Sequence, residues 1–318
     1  MNRKTIAASL AAAALLVLSL CFPAVGAKAC AEGVALWANA VLPTLFPFLV
    51  LTALLTRLGA AECAGRLFAP LTKKLRLPDC AAVCMLLGVL SGYPVGCRAL
   101  SEFQGRMREG QALRAAALCS VSGPMFVIGT VGGAMFQSAR AGALLFCSHL
   151  LGVVLVFLCT LPFARRAEEE RTLPAGRSAD AVLAESVQGA VVSILCVGGF
   201  IAFFGAAAAL LQAAGILAPL QKLITLLLSA AGAENCAEGA LAGLLEATRG
   251  CALLAGAGGT LALPLAAFTV TFGGASILAQ QLAFLKKLKV RAGAFVALKF
   301  AQGAAAFGIC LLLCVLFQ

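Results

Sequence analysis

Charged side chains are scarce in this chain, since Asp, Glu, Lys and Arg make up only 12% of its 318 residues. A soluble domain carries about 25%. A single His and 13 acidic residues leave few candidates for a metal site or for paired catalytic carboxylates. The 14 Cys contain no CxxC pair and have no His partner at zinc spacing. These absences argue against a metalloprotein, a redox protein or an enzyme. We interpret Cys residues such as Cys119, Cys147 and Cys196 as small apolar groups in helix contacts.

Apolar residues dominate instead, at 62% of the chain, and the mean hydropathy is +1.02. We therefore predict an all-α polytopic protein of the inner (cell) membrane, because helices satisfy their own backbone hydrogen bonds in lipid. The net charge of +11 would suggest nucleic acid in a soluble protein. In a membrane protein, basic cytoplasmic loops explain the same excess. The expected partners are thus membrane lipid and a small-molecule solute, without nucleic acid, and homo-oligomer formation stays open.

The N-terminal segment opens with two basic residues and continues as an apolar stretch over residues 6–25. That length suffices to span a bilayer, so we expect a retained transmembrane helix within residues 1–32. A signal peptide with a weak cleavage site at residues 27–29 is the alternative. Residues 33–58 predict a second span, kinked by two Pro residues, and the basic segment 57–78 predicts an amphipathic helix on the cytoplasmic surface.

The first interrupted region covers residues 80–108. Its apolar part, 80–90, is only about 11 residues long and is too short to cross a bilayer. It ends at Ser91-Gly-Tyr-Pro-Val-Gly96, where closely spaced Gly and Pro stop a helix. Broken backbone at membrane depth must be satisfied by protein or water, so we predict a re-entrant helical hairpin with its tip here. The next span, 112–136, contains Ser120-Val-Ser-Gly-Pro124 and predicts a discontinuous helix.

The second half of the chain repeats this plan after an uninterrupted span over 140–162 and a charged linker over 163–183. A hairpin over 237–257 has its tip at Glu246-Ala-Thr-Arg-Gly250. A discontinuous helix over 261–285 breaks at Thr271-Phe-Gly-Gly274. The other predicted elements are a span over 185–211, an amphipathic stretch over 217–228 and a final span over 291–317.

Four short matches between the halves indicate an internal duplication, at offsets of 149 to 154 residues. They pair 69–71 with 218–220, 96–97 with 250–251, 120–122 with 269–271, and 140–143 with 291–294. Placing the most basic segments in the cytoplasm makes 163–183 a cytoplasmic linker and inverts the second copy. We therefore predict two inverted repeats, 33–162 and 184–318, each with a re-entrant helical hairpin and a discontinuous transmembrane helix.

Small and polar residues at the two tips and two breaks are the candidate substrate-binding residues. Glycine lets the backbone approach a ligand, half-helix N-termini attract anions, and hydroxyls beside freed carbonyls suit a substrate hydroxyl or Na⁺. A charge at mid-bilayer is costly and usually faces a cavity. The set is Ser91, Gly92, Tyr93, Gly96, Ser120, Ser122, Glu246, Thr248, Arg249, Thr269, Thr271 and Gly273. We expect no metal site and no cofactor, with Na⁺ or H⁺ open as a coupling ion.

Each of these features also has a purely structural interpretation. The Gly/Pro tip can be a kink for helix packing, and Ser or Thr can bond back to its own helix. Glu246 and Arg249 can pair at i and i+3 if the turn stays helical, or reach the outer interface if the hairpin is shallow. We expect His149 to be a satisfied helix-contact residue, with a proton relay as the alternative. Lys299 has the same two interpretations, and Gln302 is its candidate companion.

Three motifs carry a resemblance to known proteins: Leu42-Pro-Thr-Leu-Phe-Pro-Phe48, Leu90-Ser-Gly-Tyr-Pro-Val-Gly96 and Ser120-Val-Ser-Gly-Pro-Met-Phe-Val-Ile-Gly-Thr130. Over essentially its whole length the chain resembles the YlbJ-type sporulation integral membrane proteins, which belong with the nucleoside-recognition Gate domain proteins. The resemblance implies a role in spore formation in a spore-forming Firmicute. The architecture is also similar to the core of concentrative nucleoside transporters, whose first tip carries Gln, Thr and Glu where this chain has Ser91 and Tyr93.

These observations together predict an ion-coupled, alternating-access transporter of a small polar or anionic solute. The alternative is a non-transporting membrane scaffold needed for spore envelope assembly. A scaffold has no need for two broken tips and an intramembrane charge pair, so the sequence favours the transporter.

Overall fold

Our computed structural model describes residues 3–58, 63, 67, 68, 70, 72–78, 80–93, 95–101, 103, 107, 109–163 and 182–317. Within these residues the regular structure is helical, as predicted. Five helical segments of the described chain are long and apolar enough to cross a membrane: Pro23–Leu55, Ala139–Cys159, Val182–Ala213, Ala262–Leu288 and Ala292–Leu316. The chain is thus an all-α, multi-pass membrane protein. The predicted surface helix over 57–78 and linker over 163–183 fall largely outside the described residues.

The N-terminal helices divide the chain differently from the prediction. Helix α1 (Arg3–Cys21) is followed at once by α2 (Pro23–Leu36), which can begin at Pro because the first helical turn does not need an N–H there. A π-helical turn, Trp37–Val41, joins α2 to α3 (Leu42–Arg57) in one continuous segment. The expected boundary after residue 32 therefore lies inside α2, and the apolar part of α1 is shorter than the five spanning segments.

The first predicted hairpin and discontinuous helix are both present. Helices α4 (Cys80–Ser91) and α5 (Val95–Ser101) pack against each other at Gly88 and Gly96. A Cβ atom at Gly96 would lie 2.8 Å from Gly88 Cα, so this close approach requires glycine. Helix α6 (Glu109–Cys119) ends before the break, and α7 (Met125–Met135) continues beyond it as a π-helix, a rare form that is frequent at functional sites.

The second hairpin and discontinuous helix also lie where they were predicted. Helices α11 (Ala237–Leu245) and α12 (Ala247–Ala257) are separated by Glu246 alone, which has extended backbone. Helices α13 (Ala262–Phe272) and α14 (Gly274–Leu285) are separated at Gly273, whose φ of +89° favours glycine. Four further α-helices are α8 (Ala139–Cys159), α9 (Val182–Ala213), α10 (Ala218–Ser229) and α15 (Ala292–Leu316).

Helices from the two halves of the chain share common apolar cores. The first hairpin and α6 pack with α14 and α15 around residues such as Leu100 and Phe295. Helices α7 and α8 pack with α12, α13 and α15 around residues such as Val131 and Ala266. Helix α3 packs on α9 in a third cluster. Because both halves contribute to each core, the tips and breaks of the two halves are brought together.

Candidate functional site

Both hairpin tips and the first helix break line one small cavity, together with the helix that follows the second break. Its volume is about 50 Å³. The polar and glycine residues around it are Ser91, Gly92, Tyr93, Ser122, Gly123, Glu246, Thr248, Ser276 and Gln280. Helices α3, α7, α9 and α14 complete its walls with the apolar side chains Leu45, Phe126, Val197, Phe200, Ile201 and Ile277. Pockets for drug-sized ligands have roughly 300–1,000 Å³, so the tips must move apart before a larger solute can enter.

Glu246 supplies a carboxylate to this cavity. The side chain is 2% exposed and caps the N-terminus of α12. Its two carboxylate oxygens accept hydrogen bonds from the backbone N–H groups of Thr248, at 2.9 Å, and Arg249, at 2.7 Å. The N-terminal end of the helix dipole further stabilises a negative charge at this position. The tip therefore holds a buried carboxylate in a fixed orientation.

The predicted side-chain pair between Glu246 and Arg249 is wrong. Residue 246 has extended backbone, with φ −142° and ψ 115°, so the helical i, i+3 geometry does not apply. The Arg249 guanidinium instead lies 3.6 Å from the carboxylate of Glu32 on α2. Arg249 lines two other cavities, of about 470 Å³ and 220 Å³, rather than the cavity at the tips.

Tyr93 connects the first tip to the second broken helix. Its hydroxyl donates to the carbonyl of Val270 at 2.6 Å, and the carbonyl of Thr271 lies at 3.3 Å. Both carbonyls belong to the last turn of α13, where carbonyl groups have no partner within their own helix. The tyrosine thus satisfies backbone that the break at Gly273 sets free.

Lys299 and Gln302 of α15 do the same for the first broken helix. The Lys299 ammonium donates to the carbonyl of Ser120 at 2.6 Å, and Gln302 Nε2 donates to the carbonyl of Ala117 at 3.0 Å. Both acceptors lie at the C-terminal end of α6. Lys299 and Gln302 lie one turn apart on α15. They are companions in that both donate hydrogen bonds to the same end of α6.

His149 of α8 joins the two breaks. Its Nε2 accepts a hydrogen bond from the backbone N–H of Ser122 at 2.9 Å, so the proton of the neutral ring is on Nδ1. Nδ1 lies 2.9 Å from the hydroxyl of Thr271, which in turn donates to the carbonyl of Ala267 at 2.7 Å. The ring is fully buried and both nitrogens are satisfied, as expected of a helix-contact histidine.

The twelve predicted site residues fall into two groups. Six line the cavity: Ser91, Gly92, Tyr93, Ser122, Glu246 and Thr248. The other six support the structure around the cavity. Ser120 donates to Gln281, Arg249 faces Glu32, and Thr271 contacts His149. Gly96 lies on the Cys119 carbonyl, Thr269 packs on Gly243, and Gly273 forms the second break. For Thr271, the predicted structural alternative, a bond back to its own helix, is the one observed.

Sequence reasoning missed Ser276, Gln280 and Gln281 on α14. Ser276 and Gln280 line the cavity, and Gln281 is completely buried. Their residue types could have identified them in the sequence, because amides and hydroxyls within an apolar segment commonly bond across helices.

No disulfide links the cysteines of the described residues. Cys119 is buried, in agreement with its predicted role in helix contacts, whereas Cys147 and Cys196 are exposed on the outside of the bundle, where the prediction is wrong for them. Among the residues that the structure describes, no three His, Cys, Asp or Glu side chains come together as a metal site.

Fold and site together define a multi-pass helical membrane protein in which the tips of two helical hairpins meet at a small cavity lined by polar and apolar side chains. Residues 39–158, which contain the first hairpin, the first broken helix and α8, match the Gate family, described as nucleoside recognition. Over 206 residues the chain is 28% identical to the sporulation integral membrane protein YlbJ of Bacillus subtilis (strain 168). These findings confirm the resemblance to the Gate and YlbJ-type membrane proteins.

The match to the Bacillus subtilis protein is partial. It covers 57% of this chain and 50% of that protein, so this chain spans about half the length of the relative it matches. No solved structure matches the chain at a significant level.

Proposed function

We propose that this chain is an alternating-access transporter that binds a small polar or anionic solute between the two hairpin tips. The buried carboxylate of Glu246 is the observation that carries the proposal. A charge in the interior of a membrane protein costs roughly 2.5–3.5 kcal/mol even on insertion scales, and such charges usually mark a solute or ion pathway. The capping of α12 alone does not require a charge, because a neutral Ser, Thr or Asn serves as an N-cap equally well.

The cavity offers both kinds of hydrogen-bonding group to a solute. Glu246 accepts hydrogen bonds, and the hydroxyls of Ser91, Ser122 and Ser276 both donate and accept. The N-terminus of α14 has no side-chain cap from the described residues, and a helix N-terminus favours anions. This combination suits a solute with a donor group at one end and an acceptor or anionic group at the other.

The two halves support an inverted-repeat mechanism in this proposal. Each hairpin closes on a pair of glycines, Gly88 with Gly96 and Gly243 with Gly250, and each is followed by a helix that breaks at the cavity. Paired hairpins and broken helices of this kind build alternating-access sites in other transporters. Coupling to Na⁺ or H⁺ belongs to the same proposal.

A scaffold role in sporulation is the second candidate. It is favoured by the printed name of the Bacillus subtilis relative, which refers to sporulation and not to transport. The two candidates are compatible in one respect, since a transporter can also serve spore formation. They differ in whether the cavity binds a solute.

Ligand-induced thermal stabilisation separates the two candidates. The purified protein is heated with a panel of nucleosides, amino acids, carboxylates and phosphate. We expect one class to raise the melting temperature of the wild type but not of Glu246→Gln, while the exposed control Glu234→Gln responds like the wild type. If no class stabilises the protein, and Glu246→Gln still complements a deletion strain, the scaffold is correct and the transporter proposal fails.

A further inference from the structure

Lys299 is a cation buried at the centre of the bundle. The residue is fully buried on α15, and its ammonium donates to the carbonyl of Ser120 at 2.6 Å. The ammonium also lies 5.4 Å from the centre of the Tyr93 ring, within the range of a cation–π interaction. No carboxylate of the described residues forms an ion pair with it, because the ion pairs found there are Arg57–Glu185 and Arg249–Glu32.

The position of this ammonium is the one at which a coupling cation is expected. Transporters with discontinuous helices coordinate Na⁺ or H⁺ through unwound backbone carbonyls and the C-terminal ends of half-helices. Ser120 is the first residue after α6 and opens the break before α7. The negative end of the α6 dipole lies at the same place and favours a positive charge there.

We infer that Lys299 is a tethered cation that replaces a bound metal ion at the first helix break. The ammonium uses the Ser120 carbonyl, the dipole of α6 and the face of the Tyr93 ring, all of which would otherwise attract a free cation. Site occupancy by Lys299 then makes the break independent of Na⁺. The conclusion that transport is not coupled to Na⁺ at this break rests on the proposed transport function. The conclusion that Lys299 occupies the cation position does not.

Among the residues that the structure describes, no second fixed charge acts on the Lys299 ammonium. Gln302, one turn further along α15, holds the Ala117 carbonyl, so two successive turns of α15 serve the end of α6. The titratable groups near the ammonium are Tyr93 at the first tip, Cys97 of α5 and His149 of α8. His149 is held neutral by the N–H of Ser122, which it accepts on Nε2. Lys299 is therefore the positive charge of this region.

Cation-dependent thermal stability of the full-length protein tests the inference without any solute. The wild type should melt at the same temperature in NaCl, KCl and choline chloride at equal ionic strength. Lys299→Ala should melt at a lower temperature, and methylammonium should restore much of the loss in a saturable manner. Acetamide, a small neutral N–H donor, should not restore it. Lys299→Met, which fills the space without charge, should be destabilised and should respond to neither compound.

Two results would overturn the inference. One is a saturable stabilisation of the wild type by Na⁺ over choline that Ser122→Ala removes, because a metal ion would then occupy the break beside Lys299. The other is equal rescue of Lys299→Ala by acetamide and methylammonium, which would reduce Lys299 to a hydrogen-bond donor. If Lys299→Ala does not fold, two measurements still test the inference: the Na⁺ experiment on the wild type and the melting temperature of Lys299→Met. A Met variant as stable as the wild type contradicts the need for a cation. Failure to find a transported solute leaves these outcomes unchanged.

Discussion

The hydroxyl group of Tyr93 offers a direct test of whether the first hairpin tip holds the second broken helix. Tyr93→Phe removes one oxygen and keeps the ring, so the contact between the ring and Lys299 is retained. The change deletes the 2.6 Å hydrogen bond to the Val270 carbonyl at the end of α13. A buried carbonyl left without its partner costs about 1–3 kcal/mol. We expect the free energy of unfolding to fall by that amount.

Equilibrium unfolding in detergent micelles measures this loss. The matched control is Ser193→Ala, because the exposed Ser193 hydroxyl bonds only to Gly189 of its own helix, and its removal should change stability by less than about 0.5 kcal/mol. Tyr93→Leu should be less stable than Tyr93→Phe, since it also loses the ring that faces Lys299. If Tyr93→Phe matches the control, α13 does not depend on the first tip and the reasoning is refuted.

Three other changes test the hairpins and the arrangement of the halves. Gly96→Ala should lower stability by about 1–3 kcal/mol, because its methyl group would overlap the Cys119 carbonyl; a thermal melt like that of the wild type would mean that the hairpin can loosen without penalty. Ser178→Cys and Gln318→Cys should react with an impermeant thiol reagent from opposite sides of the membrane if the repeats are inverted, and labelling from one side would favour a parallel duplication. Glu246→Gln and Arg249→Leu should each lower stability, and the double variant should be less stable than either, since the Glu246 carboxylate bonds backbone N–H groups whereas the Arg249 side chain lies against Glu32; a double variant more stable than Glu246→Gln alone would show that the two side chains compensate each other.

The breaks in the helices could be predicted because their causes are local. Gly92 ends α4 through its left-handed conformation, with φ of +72°, and Gly273 ends α13 in the same way, with φ of +89°. The short apolar segment before Gly92 could not cross a bilayer, and this length alone predicted the hairpin. Glu246 was expected at the second tip, and it lies there.

The partners of the polar residues could not be predicted from the sequence. Tyr93 and Val270 are 177 residues apart, and His149 and Thr271 are 122 residues apart, so no periodicity relates them. Local spacing also suggested Arg249 as the partner of Glu246, and this was wrong because the tip is extended rather than helical. Local rules locate the ends of helices, whereas tertiary packing decides which groups satisfy them.

At both breaks the carbonyl groups and the N–H groups are used unequally, and this asymmetry indicates what a solute would meet. The C-terminal ends of α6 and α13 are satisfied from within the protein, by Lys299 and Gln302 for α6 and by Tyr93 for α13. Each of these side chains comes from the opposite half of the chain. The helices that resume after the breaks, α7 and α14, receive no side-chain cap at their N-termini within the described residues. The carbonyl groups at the ends of α6 and α13 are therefore already hydrogen-bonded within the protein. The groups left to bind a ligand are the N–H groups at the N-termini of α7 and α14 and the Glu246 carboxylate.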